Sequence, residues 1–220
     1  MASTELTEEM VAAKEAENNA RRERLMQRSS NMANITEPPP NFPPECCCIK
    51  PLIYHSIKLQ IPVHYQRFMY TVCGLYISLI ALILFNIVAA TVYLVFGGGL
   101  MHFGFSFIYL VGLPGAWMVW YYSTYLVFAE GSTVRRIAAI IGLLIGTVYD
   151  IWMAIGLTGL GGCGWIVAIL NTSKTIPFIL LLIAAILWTL HAVIFFSTFL
   201  RFIKISSNIE SDRRNIYRDI

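Results

Sequence analysis

Few residues in this chain have the types and spacing that chemistry needs, and most of those lie inside long apolar stretches. Asp150 and His191 are ionisable groups placed well within such stretches, where an ionisable residue is a functional suspect by default. At 1.5 Å per residue, Asp150 lies about 20 Å in from Ile137 and His191 about 13 Å in from Leu200, so in upright helices they share no level. A small four-helix transporter or channel working through Asp150 and His191 is the alternative function. The plainer expectation is that Asp150 faces a bundle and His191 hydrogen-bonds a Ser or Thr on a neighbour. Gly159-Leu160-Gly161-Gly162-Cys163-Gly164 spells a GxGxxG string, but dinucleotide binding needs a preceding strand, a following helix and an acidic residue beyond. It reads here as a flexible turn. Cys46, Cys47 and Cys48 form a candidate S-acylation cluster beside a membrane; three consecutive thiolates close poorly around one metal ion. No nucleophile–base pair, carboxylate pair or phosphate loop sits in a segment able to fold around it. The expectation is a non-catalytic protein with no cofactor, no metal site and no nucleic-acid partner.

The elements that must position these residues are apolar helices. Between Arg67 and Glu130 the sequence holds no Asp, Glu, Lys or Arg. With 57% hydrophobic and 13% charged residues and a mean hydropathy of +0.64, the chain departs far from a soluble domain. Four runs, about 69–96, 103–128, 137–157 and 176–200, are each long enough to cross a bilayer, which takes about 20 residues. A soluble helix would keep one polar face. The fold class is therefore an all-α integral membrane protein with four transmembrane helices and cytosolic N- and C-terminal tails. The orientation follows from Lys50, Lys58 and Arg67 before span one, Arg135 and Arg136 between spans two and three, and Arg201 and Lys204 after span four, against Lys174 alone between spans three and four.

The remaining organisation is by segments. Residues 1–30 read as a cytosolic charged helix, at most a weak coiled coil. Residues 31–67 are a Pro-rich linker followed by an interfacial segment on the cytosolic leaflet, where Tyr54, His55, His64 and Tyr65 suit the headgroup layer. The four-span domain covers 68–200, and 201–220 is a cytosolic basic tail. Gly112, Pro114 and Gly115 predict a kink in span two. Trp117, Trp120, Tyr121, Tyr122 and Tyr125 read as an aromatic belt at its cytosolic end. Ala138, Gly142, Gly146, Asp150 and Ala154 recur every four residues along span three, a stripe that lets a neighbouring helix approach. Cys163 stands in the lumenal connection without a same-side partner, and Asn171-Thr172-Ser173 is a glycosylation sequon too close to span four for efficient use.

An ordered set of motifs resembles the secretory carrier-associated membrane proteins. Asn41-Phe42-Pro43-Pro44, Cys48-Ile49-Lys50-Pro51 and Ile61-Pro62-Val63-His64-Tyr65-Gln66-Arg67 precede span one. Trp120-Tyr121-x-x-x-Tyr125-x-x-Phe128 ends span two, and Gly164-Trp165-Ile166 lies in the last lumenal connection. The resemblance implies a vesicle-trafficking protein of post-Golgi recycling carriers, acting in endocytosis, exocytosis and protein transport. It implies residence in Golgi, recycling-endosome, secretory-vesicle and plasma membranes. Two family features are missing: Asn-Pro-Phe repeats near the N-terminus, and basic residues after span two, where Tyr122, Leu126 and Ala129 stand instead. Arg135 and Arg136 remain to engage anionic phospholipids, at about 1 kcal/mol each. The expected partner surface is a cytosolic membrane-facing patch of Ile61, Pro62, Tyr65, Gln66, Arg67, Trp120, Tyr121, Arg135 and Arg136. Its partners are the lipid bilayer, trafficking proteins and a second copy of the chain.

Overall fold

The computed structural model describes residues 10–11, 13–20, 22–23, 40–42 and 53–218, with side chains described as far as residue 208. The triple-cysteine cluster Cys46–Cys48 and most of the Pro-rich linker lie outside the described residues. Two compact units are present, 1–55 and 56–220. In the first, the described residues of 10–23 are helical and exposed, and Phe42 and Ile53 form an antiparallel bridge.

The second unit is a helical bundle with four helices long and apolar enough to span a membrane: Val63–Val95, Leu100–Ala129, Thr133–Ile155 and Thr175–Asn208. Their outward faces are as apolar as their inward ones. Val111 is 78% exposed and Ile77 61%, an arrangement that suits hydrocarbon and not water. Span one starts directly after Pro62, which holds φ at −53° and suits a helix entry. Span three ends at Gly156, whose φ of +66° is the left-handed cap conformation that glycine adopts without strain. The last helix does not stop at Leu200; it runs unbroken to Arg218.

Span two is not uniform. Leu100–Ala116 is α-helical and contains Pro114, Trp117–Tyr122 winds as a π-helix, and Ser123–Ala129 returns to α. Pro114 cannot donate to the ladder, and the wider π turns rotate the remainder of the span about its axis. Trp120 and Tyr121, expected on the cytosolic surface, are therefore turned into the core. Trp120 is 3% exposed and Tyr121 fully buried, with Tyr76 5.8 Å and 5.7 Å from their rings. The first part of span two leans on span one, and its later parts pack on span three. Spans three and four form the most extensive pair. In the span-three stripe, Gly142, Gly146, Asp150 and Ala154 are buried, whereas Ala138 is exposed and Ala139 is buried in its place.

The connection after span three is also not a loose turn. Trp165–Leu170 forms a short helix beside span four. Trp165 Nε1 donates to Thr189 Oγ1 at 2.9 Å, and Thr189 lies about 21 Å along span four from its start. Residues 156–164 therefore fold back between the helices, and Gly161, Gly162, Cys163 and Gly164 are buried.

Candidate functional site

At the end of the bundle that carries Arg67 and Arg135, the motif residues build a collar. The short helix Ile57–Gln60 is capped by Ser56, whose Oγ accepts from the Leu59 N–H at 3.3 Å. Tyr125 of span two holds this helix: its hydroxyl accepts the Ser56 N–H at 2.9 Å and donates to Gln60 Oε1. Gln66 Nε2 donates to the carbonyls of Lys58 at 3.0 Å and Ile61 at 2.9 Å, so one amide ties the entry turn of span one together. Ile61 is 3% exposed. Tyr65 is half-buried, its ring 4.9 Å from Phe128. Phe68 and Phe128 both pack on Phe202 of span four, at 6.2 Å and 6.0 Å. Pro62, Arg67 and Arg135 face outward, with Arg136 half-buried. The Arg135–Glu130 pair at 4.0 Å is solvent-exposed and worth little. In the first unit, Asn41 closes a reciprocal clamp: its Nδ2 donates to the His55 carbonyl at 2.9 Å and its Oδ1 accepts the His55 N–H at 2.7 Å. Burial holds the His55 imidazole below its usual range, opposed by a backbone hydrogen bond.

In the bundle interior Asp150 and His191, expected at different levels, meet: Nδ1 of His191 lies 2.7 Å from Asp150 Oδ2, with 5% and 1% of the side chains exposed. Span three begins at Thr133 and span four continues past Leu200, so Ile137 and Leu200 did not mark a common plane. The partner of His191 is thus a carboxylate and not the expected hydroxyl. Its Nε2 sits 3.1 Å from the Leu75 carbonyl. A carbonyl only accepts, so Nε2 carries a proton, and a second proton lies on the Nδ1–Oδ2 bond. The pair is then net neutral whichever atom holds that proton, the form a low-dielectric interior favours.

A second polar cluster, absent from the sequence-based expectations, anchors the glycine-rich connection. Asn86 of span one donates from Nδ2 to the Gly161 carbonyl at 2.7 Å and accepts the Cys163 N–H at 2.8 Å. His102 of span two accepts from the N–H groups of Gly159 and Gly161 at 3.2 Å and 3.3 Å through Nδ1, which leaves its proton on Nε2, 3.8 Å from Cys163 Sγ. The Tyr109 hydroxyl donates to the Leu160 carbonyl. Non-helical backbone at membrane depth is tolerated only where protein satisfies it, and these side chains supply the partners. The string also needs its glycines: a Cβ on Gly161, at φ +81°, would stand 2.6 Å from the Ser106 nitrogen. The Cys163 thiol is fully buried. A nucleophile needs an accessible thiolate, so Cys163 and His102 do not form a nucleophile–base pair. Asn171 is buried and donates to the Val167 carbonyl at 2.8 Å, which withdraws the sequon from modification. The one signal that could have found this cluster is Asn86, a lone amide within an otherwise apolar run.

Comparison with known proteins covers most of this architecture. The SCAMP family model matches residues 39–208. Secretory carrier-associated membrane protein 3 of Oryza sativa subsp. japonica is 31% identical over 130 residues, 59% of this chain and 45% of the rice protein. Secretory carrier-associated membrane protein 5 of Homo sapiens is 28% identical over 160 residues, 71% of this chain and 68% of the human protein. The chain thus spans less than half the length of the rice relative. No solved structure matches.

Proposed function

Because the chain belongs to the secretory carrier-associated membrane protein family, we propose that it is a non-catalytic, multi-pass component of post-Golgi recycling carriers, acting in endocytosis, exocytosis and protein transport. The observation that carries this reading is the family match across residues 39–208. It takes in the collar residues Ile61, Pro62, Tyr65, Gln66, Arg67 and Tyr125. The Lys/Arg asymmetry supports a cytosolic position for both termini and for the span two–three connection. The collar then lies on the cytosolic leaflet, with Pro62, Arg67, Arg135 and Arg136 toward lipid headgroups and trafficking proteins. Trp120 and Tyr121 contribute to it from beneath, as packing. The transporter or channel alternative has no support among the relatives. The test is to image the tagged full chain against Golgi, recycling-endosome and plasma-membrane markers during a cargo-recycling chase. Overlap with recycling carriers is expected; steady residence in the endoplasmic reticulum or mitochondria, with recycling unaffected by its depletion, would overturn the proposal.

A further inference from the structure

A cleft of about 440 Å³ lies between the middle of span two and span three, with a floor from spans one and four. On the span-two side the wall is smooth, because Gly112 and Gly115 present no side chain and a Cβ added at either would meet nothing within 4 Å. Trp120 of the same span, Tyr149 of span three and Phe195 of span four add aromatic rings to the lining. Asp150 also lines the cleft. Its Oδ2 is engaged by His191, and no hydrogen bond to Oδ1 is found among the described residues, although the residue is only 1% exposed. The Tyr149 hydroxyl, in the same lining, is buried and also has no partner among the described residues. An apolar cavity at hydrocarbon depth with an unmatched carboxylate oxygen and an unmatched phenol hydroxyl is a specific demand for a ligand hydroxyl, which can donate to the one and accept from the other, since the bilayer core offers neither partner.

We propose that this cleft is a binding site for a sterol-class lipid, a flat rigid apolar body whose single hydroxyl donates to Asp150 Oδ1. The size falls within the range of ligand pockets, about 300 to 1,000 Å³. The tails of a phospholipid would fill the apolar walls but leave Oδ1 unmatched, and its charged head cannot enter the membrane interior. A fused-ring body suits this lining, which offers aromatic rings and bare glycine backbone. The hydroxyl then finds inside the bundle the polar partners that lipid tails lack.

The test uses the full chain in phosphatidylcholine vesicles with a photoactivatable, alkyne-tagged cholesterol analogue, and the labelled peptide is mapped by mass spectrometry. Saturable labelling within residues 108–120 or 145–150 is expected, displaced by cholesterol. A sterol ketone lacking the hydroxyl should compete about tenfold less well, the order of one lost hydrogen bond. Gly112→Leu with Gly115→Leu fills the cleft where the structure is open, so it should fold like wild type and lose labelling about tenfold. Gly104→Leu, also facing open space but outside the cleft, controls for the added bulk. Equal labelling of the filled variant, equal competition by the ketone, or equal labelling of the cleft by a diazirine acyl-chain phosphatidylcholine would each overturn the proposal. So would disulfide capture of a second copy through Val111→Cys that blocks sterol labelling.

Discussion

Gly142 of span three is pressed against backbone, and that makes Gly142→Ala the sharpest test of how the bundle is packed. A Cβ there would stand 2.2 Å from the Val119 oxygen, 2.8 Å from its carbonyl carbon and 3.0 Å from Trp120 Cα. Ordinary contact begins at 3.4 Å, so the π-helical segment must retreat by 3.4 − 2.2, or 1.2 Å. The obstacle is main chain and cannot rotate away. Overpacking of this kind costs about 1–3 kcal/mol, and replacing glycine by alanine inside a helix returns about 0.5–1 kcal/mol. Gly112→Ala in span two gains the same propensity term but meets nothing within 4 Å, so comparing the two variants isolates the packing cost. At about 2–4 °C per kcal/mol for a chain of this size, Gly142→Ala should melt roughly 2–12 °C below Gly112→Ala in detergent. Equal melting temperatures would show that span three does not seat its glycine on the π segment, and this helix register would be wrong.

Other consequences come from the buried groups and the collar. Asn86→Leu strips partners from the Gly161 carbonyl and the Cys163 N–H at once; at about 1–3 kcal/mol for each unsatisfied buried group, folded yield should collapse, and normal yield would refute the clamp. His191→Ala leaves Asp150 buried without its partner, so it should lower stability by about 3–5 kcal/mol. His191→Ala combined with Asp150→Leu should recover part of that loss, and the melting profiles decide. Cys163, fully buried in the fold, should resist maleimide between pH 7 and 9 until the protein is denatured. Peptide-resolved alkylation measures the effect. Tyr65→Ala with Arg67→Ala should leave insertion intact, because four apolar spans secure it, while disturbing vesicle localisation. Wild-type recycling by that double variant would reduce the collar to a structural start for span one.

The spans were legible because their signal is compositional: long runs without charge need no tertiary information. Helix ends shifted by a few residues, and span four ran far past Leu200, since a helix can leave the membrane without changing its hydrogen bonds. Pro114 signalled an irregularity in span two, but periodicity could not foretell the six π-helical residues, Trp117–Tyr122. That local widening moved Trp120 and Tyr121 from an expected interface into the core. The Asp150–His191 contact was missed for a related reason, because depth counted from apolar boundaries fails when helices tilt and extend unequally. The glycine-rich string looked like a surface turn on composition alone. Only the side chains of Asn86, His102 and Tyr109, contributed from two other helices, make its burial affordable, and such long-range satisfaction leaves almost no trace in local sequence. Cys163 was placed in a connection and is in fact sealed inside the bundle, so an accessibility tag for the span three–four connection belongs at the exposed Thr172.

Capture of intact vesicles through a tag following Ile220 tests the central claim most directly, because orientation and compartment are read in one step. Antibody beads should recover sealed vesicles without detergent, and those vesicles should carry recycling cargo while a tag placed at Gly99 stays protected. A C-terminal tag reached only after the membrane is opened, or captured membranes bearing endoplasmic-reticulum markers and no recycling cargo, would contradict the account.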